Sequence, residues 1–245
     1  MQKFLFKISA YSFIFFLLLS QTTHAQAPAN TIILADSLFA KKKYTESFRL
    51  YEQVLEQKQV YSPQMLLKMA FIKEGLRDYT GAMYYLHLFY TKHPSRSVLK
   101  KMEELARVHR LSGYEYSDWD FFKTQFNKYY MKILELMLIL AVIVVTIIIF
   151  SKRKGQNLNP AFKLLFTCYL VFIFYYINYL SFGKEGIIRN NNVPVMSAPS
   201  AGSTWLFNSS KGHKVAITGE QDIWYEIKLK GKKVYIRKNN LLPLP

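Results

Sequence analysis

The 245-residue chain has little of what enzymes and disulfide-stapled secreted proteins use. It has one cysteine, Cys168, so no disulfide can form within the chain. Its ten glycines are scattered and form no phosphate-binding loop, and its five histidines stand at no spacing typical of metal ligands. A hydrolase G-x-S-x-G motif is missing, and Cys168 lies in an apolar run that offers no setting for a nucleophile. We therefore expect a non-enzymatic protein with no metal and no other cofactor.

Acidic residues are also scarce, with 16 against 33 basic residues and a net charge of +17. Such a charge raises the question of nucleic-acid binding, but the excess is spread along the chain. Residues 26–130 carry 16 basic and 11 acidic residues, and residues 187–245 carry 9 and 3. No nucleic-acid-binding motif occurs. We expect no nucleic-acid partner, and instead attraction to anionic lipid headgroups or to other anionic envelope polymers.

What the chain does have is three long apolar runs, of which the first follows Lys3 and Lys7 and ends in small residues. This order is typical of a secretory signal peptide, which we place at residues 1–25 with cleavage after Ala25. An uncleaved signal anchor is the alternative, and it leaves the orientation of the downstream chain unchanged.

The other two apolar runs are each long enough to cross a membrane as a helix. At about 1.5 Å per residue, some 20 residues span a hydrocarbon core of roughly 30 Å. We predict transmembrane helices at residues 131–150 and 161–182. Glu135 is the only acidic residue in either span. Because it lies near the helix end, three residues from Lys132, we favour a structural role for it over a functional one.

The loop between the two spans, residues 151–160, determines the predicted topology. It carries Lys152, Arg153 and Lys154, and basic residues in short loops mark the cytoplasmic side of a membrane. The signal peptide independently places the chain from Gln26 onward outside the cytoplasm. Both arguments put the loop in the cytoplasm and residues 26–128 and 187–245 in the periplasm of a bacterium, with the protein held in the inner membrane.

Residues 31–128 repeat with a period near 35. The stretch starting at Leu34 superposes on the stretch starting at Met69, with small residues where two helices of a pair must approach closely. The pattern resembles the tetratricopeptide repeat, with a looser third copy in which a helix at 97–111 is followed by a restart at Gly113 and Tyr114. A generic helical hairpin bundle is the alternative. The residues predicted to pack the repeats are Leu34, Ala35, Tyr44, Ser47, Tyr51, Met69, Ala70, Tyr79, Ala82, Leu86 and Pro94.

The resemblance to tetratricopeptide repeats implies a groove that holds a peptide or a helix of a partner. Lys68 and Lys73 are the candidate groove residues, against the alternative that they are only solvated charges.

Residues 187–245 change to short β-rich runs separated by turn residues, with a hairpin signal at 224–236. The runs V-P-V-M-S-A-P-S from Val193, G-H-K-V from Gly212 and W-Y-E-I from Trp224 resemble a bacterial SH3 domain. The resemblance implies a small all-β barrel with an aromatic ligand groove. Trp205, Trp224 and Tyr235 are the candidate groove residues, although aromatic residues at alternating strand positions are more often core.

The fold class expected is thus a multi-domain membrane protein with tetratricopeptide-like repeats (26–128), a two-helix transmembrane hairpin and an SH3-like barrel (187–245). This whole-chain order resembles the BatE-type family of the Bacteroides aerotolerance operon. The resemblance implies an inner-membrane scaffold with a role in stress tolerance. It also implies partners among von Willebrand factor A-domain membrane proteins and a MoxR-type ATPase system.

Two functions follow from these patterns. The first is a scaffold that docks envelope proteins through its helical repeats. The second is a protein that binds or senses peptidoglycan through the SH3-like domain.

Overall fold

A computed structural model describes residues 29–58, 61–155, 159–180, 183–229 and 231–244. The predicted signal peptide, residues 1–25, lies outside the described residues. Within those ranges the chain forms seven α-helices followed by one antiparallel sheet of seven strands. The chain divides into two compact units, residues 1–61 and 62–245.

The described part of the first unit is a helix pair, α1 (Ala29–Ala40) and α2 (Tyr44–Lys58). The two helices approach closely because Ala35 and Ser47 are small and fully buried, and the Ser47 hydroxyl donates to the Ala35 carbonyl oxygen at 2.8 Å. The buried Tyr51 donates its hydroxyl to Asp36, and the Tyr44 ring meets that of Phe39 edge-on at 5.3 Å. Leu34 is 53% exposed and contributes little to this pair.

A second helix pair, α3 (Pro63–Gly75) and α4 (Tyr79–Lys92), opens the second unit. Pro63 is the first residue of α3, where a missing N–H costs no hydrogen bond, and the Ser62 hydroxyl caps that helix by accepting from Met65 N at 3.1 Å. The Asp78 side chain caps α4. The buried seam of this pair contains Met69, Ala70, Ala82, Met83 and Leu86.

The turn geometry repeats with the sequence. Helix α1 ends 35 positions before α3 ends, and α2 begins 35 positions before α4 begins. Each helix-to-helix turn also contains a residue in the left-handed region, Lys42 at φ 60° and Arg77 at φ 59°. A third such residue, Arg110 at φ 55°, follows helix α5 (Arg96–Val108), to which Pro94 in the preceding linker leads.

After Arg110 the structure departs from the predicted third repeat. No helix restarts at Gly113 and Tyr114; residues 111–117 form an irregular segment, and the next helix, α6, begins at Asp118. The reason is tertiary: Tyr114 is 2% exposed and its hydroxyl donates to the Gly212 carbonyl oxygen at 2.8 Å. The segment is therefore extended against the sheet.

Helix α6 (Asp118–Arg153) contains the first predicted span, residues 131–150, and α7 (Pro160–Tyr179) covers residues 161–179 of the second. Both are long and apolar enough to cross a membrane, and only 6% and 11% of their most apolar stretches are buried, unlike the core helix of a soluble domain. They contact each other antiparallel through tyrosines. The Tyr130 and Tyr176 rings stack at 4.7 Å, and the Tyr169 hydroxyl donates to the Met137 carbonyl oxygen at 2.7 Å.

Helix α6 begins 13 residues before the predicted span at residue 131. Its N-terminus is a capping box, in which the Ser117 hydroxyl accepts from Asp120 N at 3.2 Å and Ser117 N donates to the Asp120 carboxylate at 2.9 Å. The Asp120 carboxylate thus belongs to the cap of α6. The first turns of α6 belong with the helices of the second unit, since Arg96 pairs with Asp118 at 2.9 Å.

The strands are β1 (Lys184–Ile188), β2 (Val193–Met196), β3 (Trp205–Ser209), β4 (Lys214–Gln221), β5 (Trp224–Leu229), β6 (Lys232–Arg237) and β7 (Leu241–Leu244). Their order in the sheet is β3-β2-β6-β5-β4-β1-β7, so β3 and β7 are its edges. One apolar cluster contains residues of every strand except β3, within the part of the chain that the structure describes, and Ile188, Val195, Ile227 and Ile236 are its most buried members.

Helices and sheet of the second unit meet where residues 111–114 reach the start of β4. The Lys214 N–H donates to the Ser112 carbonyl oxygen at 3.0 Å. Gly113 has φ +88°, and a Cβ there would collide with the Lys214 carbonyl oxygen. At Gly212, φ +89°, a Cβ would come within 2.9 Å of Leu111. Only glycine at both positions allows the two backbones to approach this closely.

We predict that Gly113→Ala destabilises the second unit by roughly 2–4 kcal/mol, because it combines left-handed backbone strain with a backbone collision. Gly231→Ala is the matched control: Gly231 has φ +80° but nothing lies within 4 Å of a Cβ there, so strain alone should cost about 1 kcal/mol. Thermal unfolding of the purified full-length protein in detergent measures both. Equal losses for the two variants would contradict a close approach at Gly113.

Candidate functional site

A partly buried ion pair, in which the Glu185 side chain is 34% exposed, lies where the helices of the second unit meet the sheet. The Lys214 ammonium lies 3.2 and 3.0 Å from the two carboxylate oxygens of Glu185, and the Lys214 side chain is 8% exposed. Lys214 opens β4 and Glu185 lies in β1, so neighbouring strands hold the two side chains side by side. Because an unpaired buried charge is strongly destabilising, each residue depends on the other.

Aromatic residues enclose this ion pair from the helical side. The Lys214 ammonium lies 4.5 Å from the Tyr116 ring centroid and 5.8 Å from that of Tyr114. Cations are attracted to aromatic faces, and the attraction strengthens when water is excluded. Burial, with Glu185 nearby, raises the pKa of both tyrosines well above its usual value, so their hydroxyls stay neutral hydrogen-bond donors.

His87, in the middle of α4, completes the junction. Its Nε2 lies 3.9 Å from a Glu185 carboxylate oxygen, too far for a hydrogen bond. Burial, reinforced by the Lys214 charge, lowers the pKa of His87 to about 3. Burial and Lys214 outweigh Glu185 because that carboxylate is already paired at 3.0 Å. His87 is therefore a neutral packing residue at neutral pH.

The irregular segment of residues 111–117, whose Tyr114 and Tyr116 contact Lys214, also forms one wall of an open cleft of about 760 Å³. We call it the α5 cleft. Helix α5 forms the other wall. The lining mixes exposed charges of both signs with aromatic surface: Lys100, Glu103, Glu104, Arg107, Glu115 and Tyr116. The Tyr116 N–H donates to the Glu103 carboxylate at 3.3 Å, which ties the two walls together. An open, polar and partly aromatic cleft suits a peptide or side chains of a partner protein.

The two lysines predicted for a partner groove lie elsewhere. Lys73 pairs with Asp78 at 3.0 Å, next to the cap of α4, which gives it a structural role in the turn between α3 and α4. Lys68 is half-buried on α3. Neither residue lines the α5 cleft, and their contact with a partner stays a prediction.

Two of the three predicted aromatic groove residues share a row of the sheet. The register matches Trp205 with Met196, Met196 with Tyr235, and Tyr235 with Glu226, across β3, β2, β6 and β5. We call these four residues the aromatic row. Trp205 is 57% exposed, and the Tyr235 hydroxyl donates to the Glu226 carboxylate at 3.3 Å. A hydrogen bond from Lys233 holds the pKa of Glu226 below its usual value, which keeps a negative charge at the end of the row.

Trp224 is not on this row. It is 5% exposed, and the Arg237 guanidinium lies 5.4 Å from its ring centroid. Its position opposite Arg237 in the β5–β6 pairing leaves little of the ring for a ligand.

The row continues into an exposed edge. Leu206 and Phe207 follow Trp205 on the edge strand β3 and are 42% and 38% exposed. Edge strands present unpaired backbone groups, and soluble proteins usually cover or charge them. This edge is apolar instead, which is typical of a surface that binds another chain.

Sequence reasoning missed the junction residues Glu185, Lys214, His87 and Gly113. Lys214 and Gly113 lie in runs that the sequence singled out for other reasons, and the partners are about 100 positions apart, as in the bond between Ser112 N and His213 Nδ1 at 2.9 Å. In the ranges that the structure covers, no group of three metal-ligating side chains comes together.

No protein-family model matches the sequence, and no curated protein matches it.

We predict that acid destabilises the second unit through His87. Its pKa is about 3 when folded and about 6.5 when unfolded, so between these values the unfolded chain binds one proton more. The free energy of unfolding should therefore decrease as pH falls through this window, by up to about 1.4 kcal/mol per pH unit. Denaturant unfolding between pH 7 and pH 4.5 measures the slope.

The variant His87→Phe should lose this contribution and show a shallower pH dependence. His93→Phe, at the exposed C-terminus of α4, is the matched control for removal of one histidine. An unchanged slope in His87→Phe would contradict the burial of a neutral His87.

Proposed function

We propose that this protein is a non-enzymatic membrane scaffold that docks a partner protein in the α5 cleft. The observation that carries the proposal is that one cleft wall, residues 111–116, is held by the sheet through Lys214. The helices supply one wall and the sheet fixes the other. A docking surface built in this way is rigid before the partner binds, which lowers the ordering cost of association.

The repeated helix pairs support a tetratricopeptide-like assignment for residues 26–128. Matching boundaries 35 residues apart, the left-handed turn residues Lys42 and Arg77, and buried small residues at Ala35 and Ala70 all favour it. Such repeats are protein-docking modules. With the predicted spans and the C-terminal sheet, the architecture is compatible with a BatE-type scaffold. The proposed partners are therefore envelope proteins, including von Willebrand factor A-domain membrane proteins and a MoxR-type ATPase system.

The SH3-like assignment for residues 187–245 has its own support. The edge strand β7 and β2, which lies next to the opposite edge strand β3, contribute to one apolar cluster, as they would if the sheet curled around it. Gly186 is consistent with tight closure, since a Cβ there would collide with Leu241. The observed sheet starts at Lys184, three residues before the predicted domain.

A charge-reversal experiment tests docking in the α5 cleft. We predict that Glu104→Lys with Arg107→Glu abolishes retention of envelope proteins by the detergent-solubilised full-length protein, since both side chains are exposed in the cleft. Point variants are preferable to deletions because residues 62–245 form one compact unit. Lys232→Glu, an exposed charge reversal on β6, is the matched control. Retention of the same proteins by both variants would exclude the cleft.

The aromatic row favours a second function, binding of cell-wall peptide. The exposed Trp205, separated by Met196 from Tyr235 and the ionised Glu226, offers stacking, hydrogen bonding and charge within one row. Retention on purified sacculi that is lost in Trp205→Ala and kept in Glu104→Lys would favour this function over the scaffold. Retention of envelope proteins with the opposite sensitivities would favour the scaffold.

We further propose that α6 and α7 cross the bacterial inner membrane with Lys152, Arg153 and Lys154 in the cytoplasm. The last turn of α6 contains Lys152 and Arg153, and the Lys154 ammonium lies 4.5 Å from the Phe150 ring centroid, an arrangement suited to a membrane boundary. Both extramembrane regions then lie in the periplasm.

In a Cys168→Ser background, Gly155→Cys should resist a membrane-impermeant thiol reagent in intact cells and react after permeabilisation. Gly155 has open space around a Cβ, so the substitution disturbs no contact. Ser203→Cys, in the loop between β2 and β3, should react in spheroplasts without permeabilisation. Labelling of Gly155→Cys in intact cells would overturn the topology.

A further inference from the structure

The hairpin between β4 and β5 carries an exposed aliphatic residue at its tip. The tip is the two-residue turn Asp222–Ile223, in which Asp222 has φ 50° and Ile223 is 53% exposed. Turns of this kind favour Asn, Asp and Gly, and a β-branched residue adds nothing to the turn itself. A single exposed isoleucine is ordinary on a protein surface. The position of this one in the fold is what distinguishes it.

The strand register directs this tip toward the end of α7. Strand β1 begins at Lys184, five positions after α7 ends at Tyr179, so at most about 18 Å of extended chain separates them. Lys184 pairs with Ile217 of β4, which is antiparallel to β1. Residues 218–221 therefore continue β4 past the start of β1, on the side from which the chain leaves α7, by up to about 13 Å.

The lengths of α6 and β4 also place the tip near the outer ends of the two apolar helices. Lys214, the first residue of β4, lies against Tyr116, two residues before α6 begins. From there α6 runs about 18 Å to Tyr130, which stacks on Tyr176 at the outer end of the helix hairpin. From Lys214 to Gln221, β4 runs about 23 Å, less where the bulge near Ile217 shortens it. Helix and strand start at one level and cover similar lengths, so a β4 that runs alongside α6, as the pairing of Lys184 with Ile217 favours, brings the tip to the level of the Tyr130–Tyr176 pair.

The residues next to the tip have the chemistry of a membrane boundary. The Arg237 guanidinium lies over the Trp224 ring at 5.4 Å, and the Lys238 ammonium lies over the Tyr225 ring at 5.5 Å. Lys238 also pairs with Glu220. Because the Trp224 ring is 5% exposed, the groups available at this surface are the exposed Arg237, the half-buried Tyr225 and Lys238, and Ile223. Cations beside a tyrosine ring and an exposed aliphatic side chain are favoured where headgroups meet acyl chains.

We propose that the β4–β5 tip rests on the bilayer, with Ile223 in the headgroup region of the leaflet in which the outer ends of α6 and α7 lie. The occupant of this surface is the phospholipid bilayer itself. The tip is then a third membrane contact besides the two helices, and it fixes the tilt of the sheet above the membrane. This inference rests on the proposed crossing of the membrane by α6 and α7.

Spin labels at single cysteines test the contact in the full-length protein. In a Cys168→Ser background, labels are placed at Ile223→Cys, at Lys232→Cys on the opposite end of the β5–β6 hairpin, and at Leu170→Cys, 44% exposed on α7. The protein is reconstituted in nanodiscs of phosphatidylethanolamine and phosphatidylglycerol. Collision rates with oxygen, which concentrates in lipid, and with a water-soluble nickel chelate are measured for each label.

The ratio of oxygen to nickel collisions at Ile223 should be several-fold above that at Lys232 and below that at Leu170. A ratio at Ile223 equal to that at Lys232, with a lipid-like ratio at Leu170, would overturn the tip contact and leave the membrane crossing intact. A water-like ratio at Leu170 would overturn the crossing and the tip contact together.

Discussion

The ion pair between Lys214 and Glu185 is the interaction on which the arrangement of the second unit depends. The Lys214 side chain is only 8% exposed, so its charge needs a partner, and the Glu185 carboxylate, itself 34% exposed, supplies one at 3.0 Å. The pair also holds Tyr114 and Tyr116 against the ammonium, and these tyrosines belong to the segment that connects α5 to α6. A charge interaction on two strands thereby fixes the path of the chain into the first long apolar helix.

This junction works only because two glycines let backbones approach. Gly113 and Gly212 both have positive φ, and the loop that contains Gly113 makes a backbone hydrogen bond to β4. Close approach shields the Lys214 ammonium from most of the solvent, and lower solvent access strengthens its Coulomb attraction to Glu185 and its cation–π contacts. The wall of the α5 cleft formed by residues 111–116 is held by the same contact, and the Lys214 charge adds to burial in keeping His87 neutral. The stability of the second unit and the shape of the α5 cleft therefore both depend on the contacts of Lys214.

At the predicted third helix pair the structure departs from the repeat pattern of the sequence. The period of 35 predicted the first two pairs because apolar and small residues recur wherever two helices meet, and that is a local property. At Gly113 and Tyr114 the same pattern predicted another helix, yet the residues pack on the sheet. Tyr114 could fill a helix seam or a sheet junction equally well. Its hydroxyl donates to the Gly212 carbonyl oxygen, 98 positions away in the chain. Sequence periodicity cannot predict a contact between positions so far apart.

For the candidate sites, residue type was predictable and accessibility was not. Alternation in the C-terminal region singled out Trp205, Trp224 and Tyr235, but only the register shows that Trp205 and Tyr235 share a row while Trp224 is buried. By itself the sequence determined where the two long apolar helices, the helix pairs and the β-rich C-terminal region lie, because these follow from hydropathy and short-range periodicity. Tertiary structure alone decided that Lys214 meets Glu185 and that residues 111–117 leave the repeat pattern. Those outcomes depend on which distant backbones can approach, and that is set by packing in three dimensions.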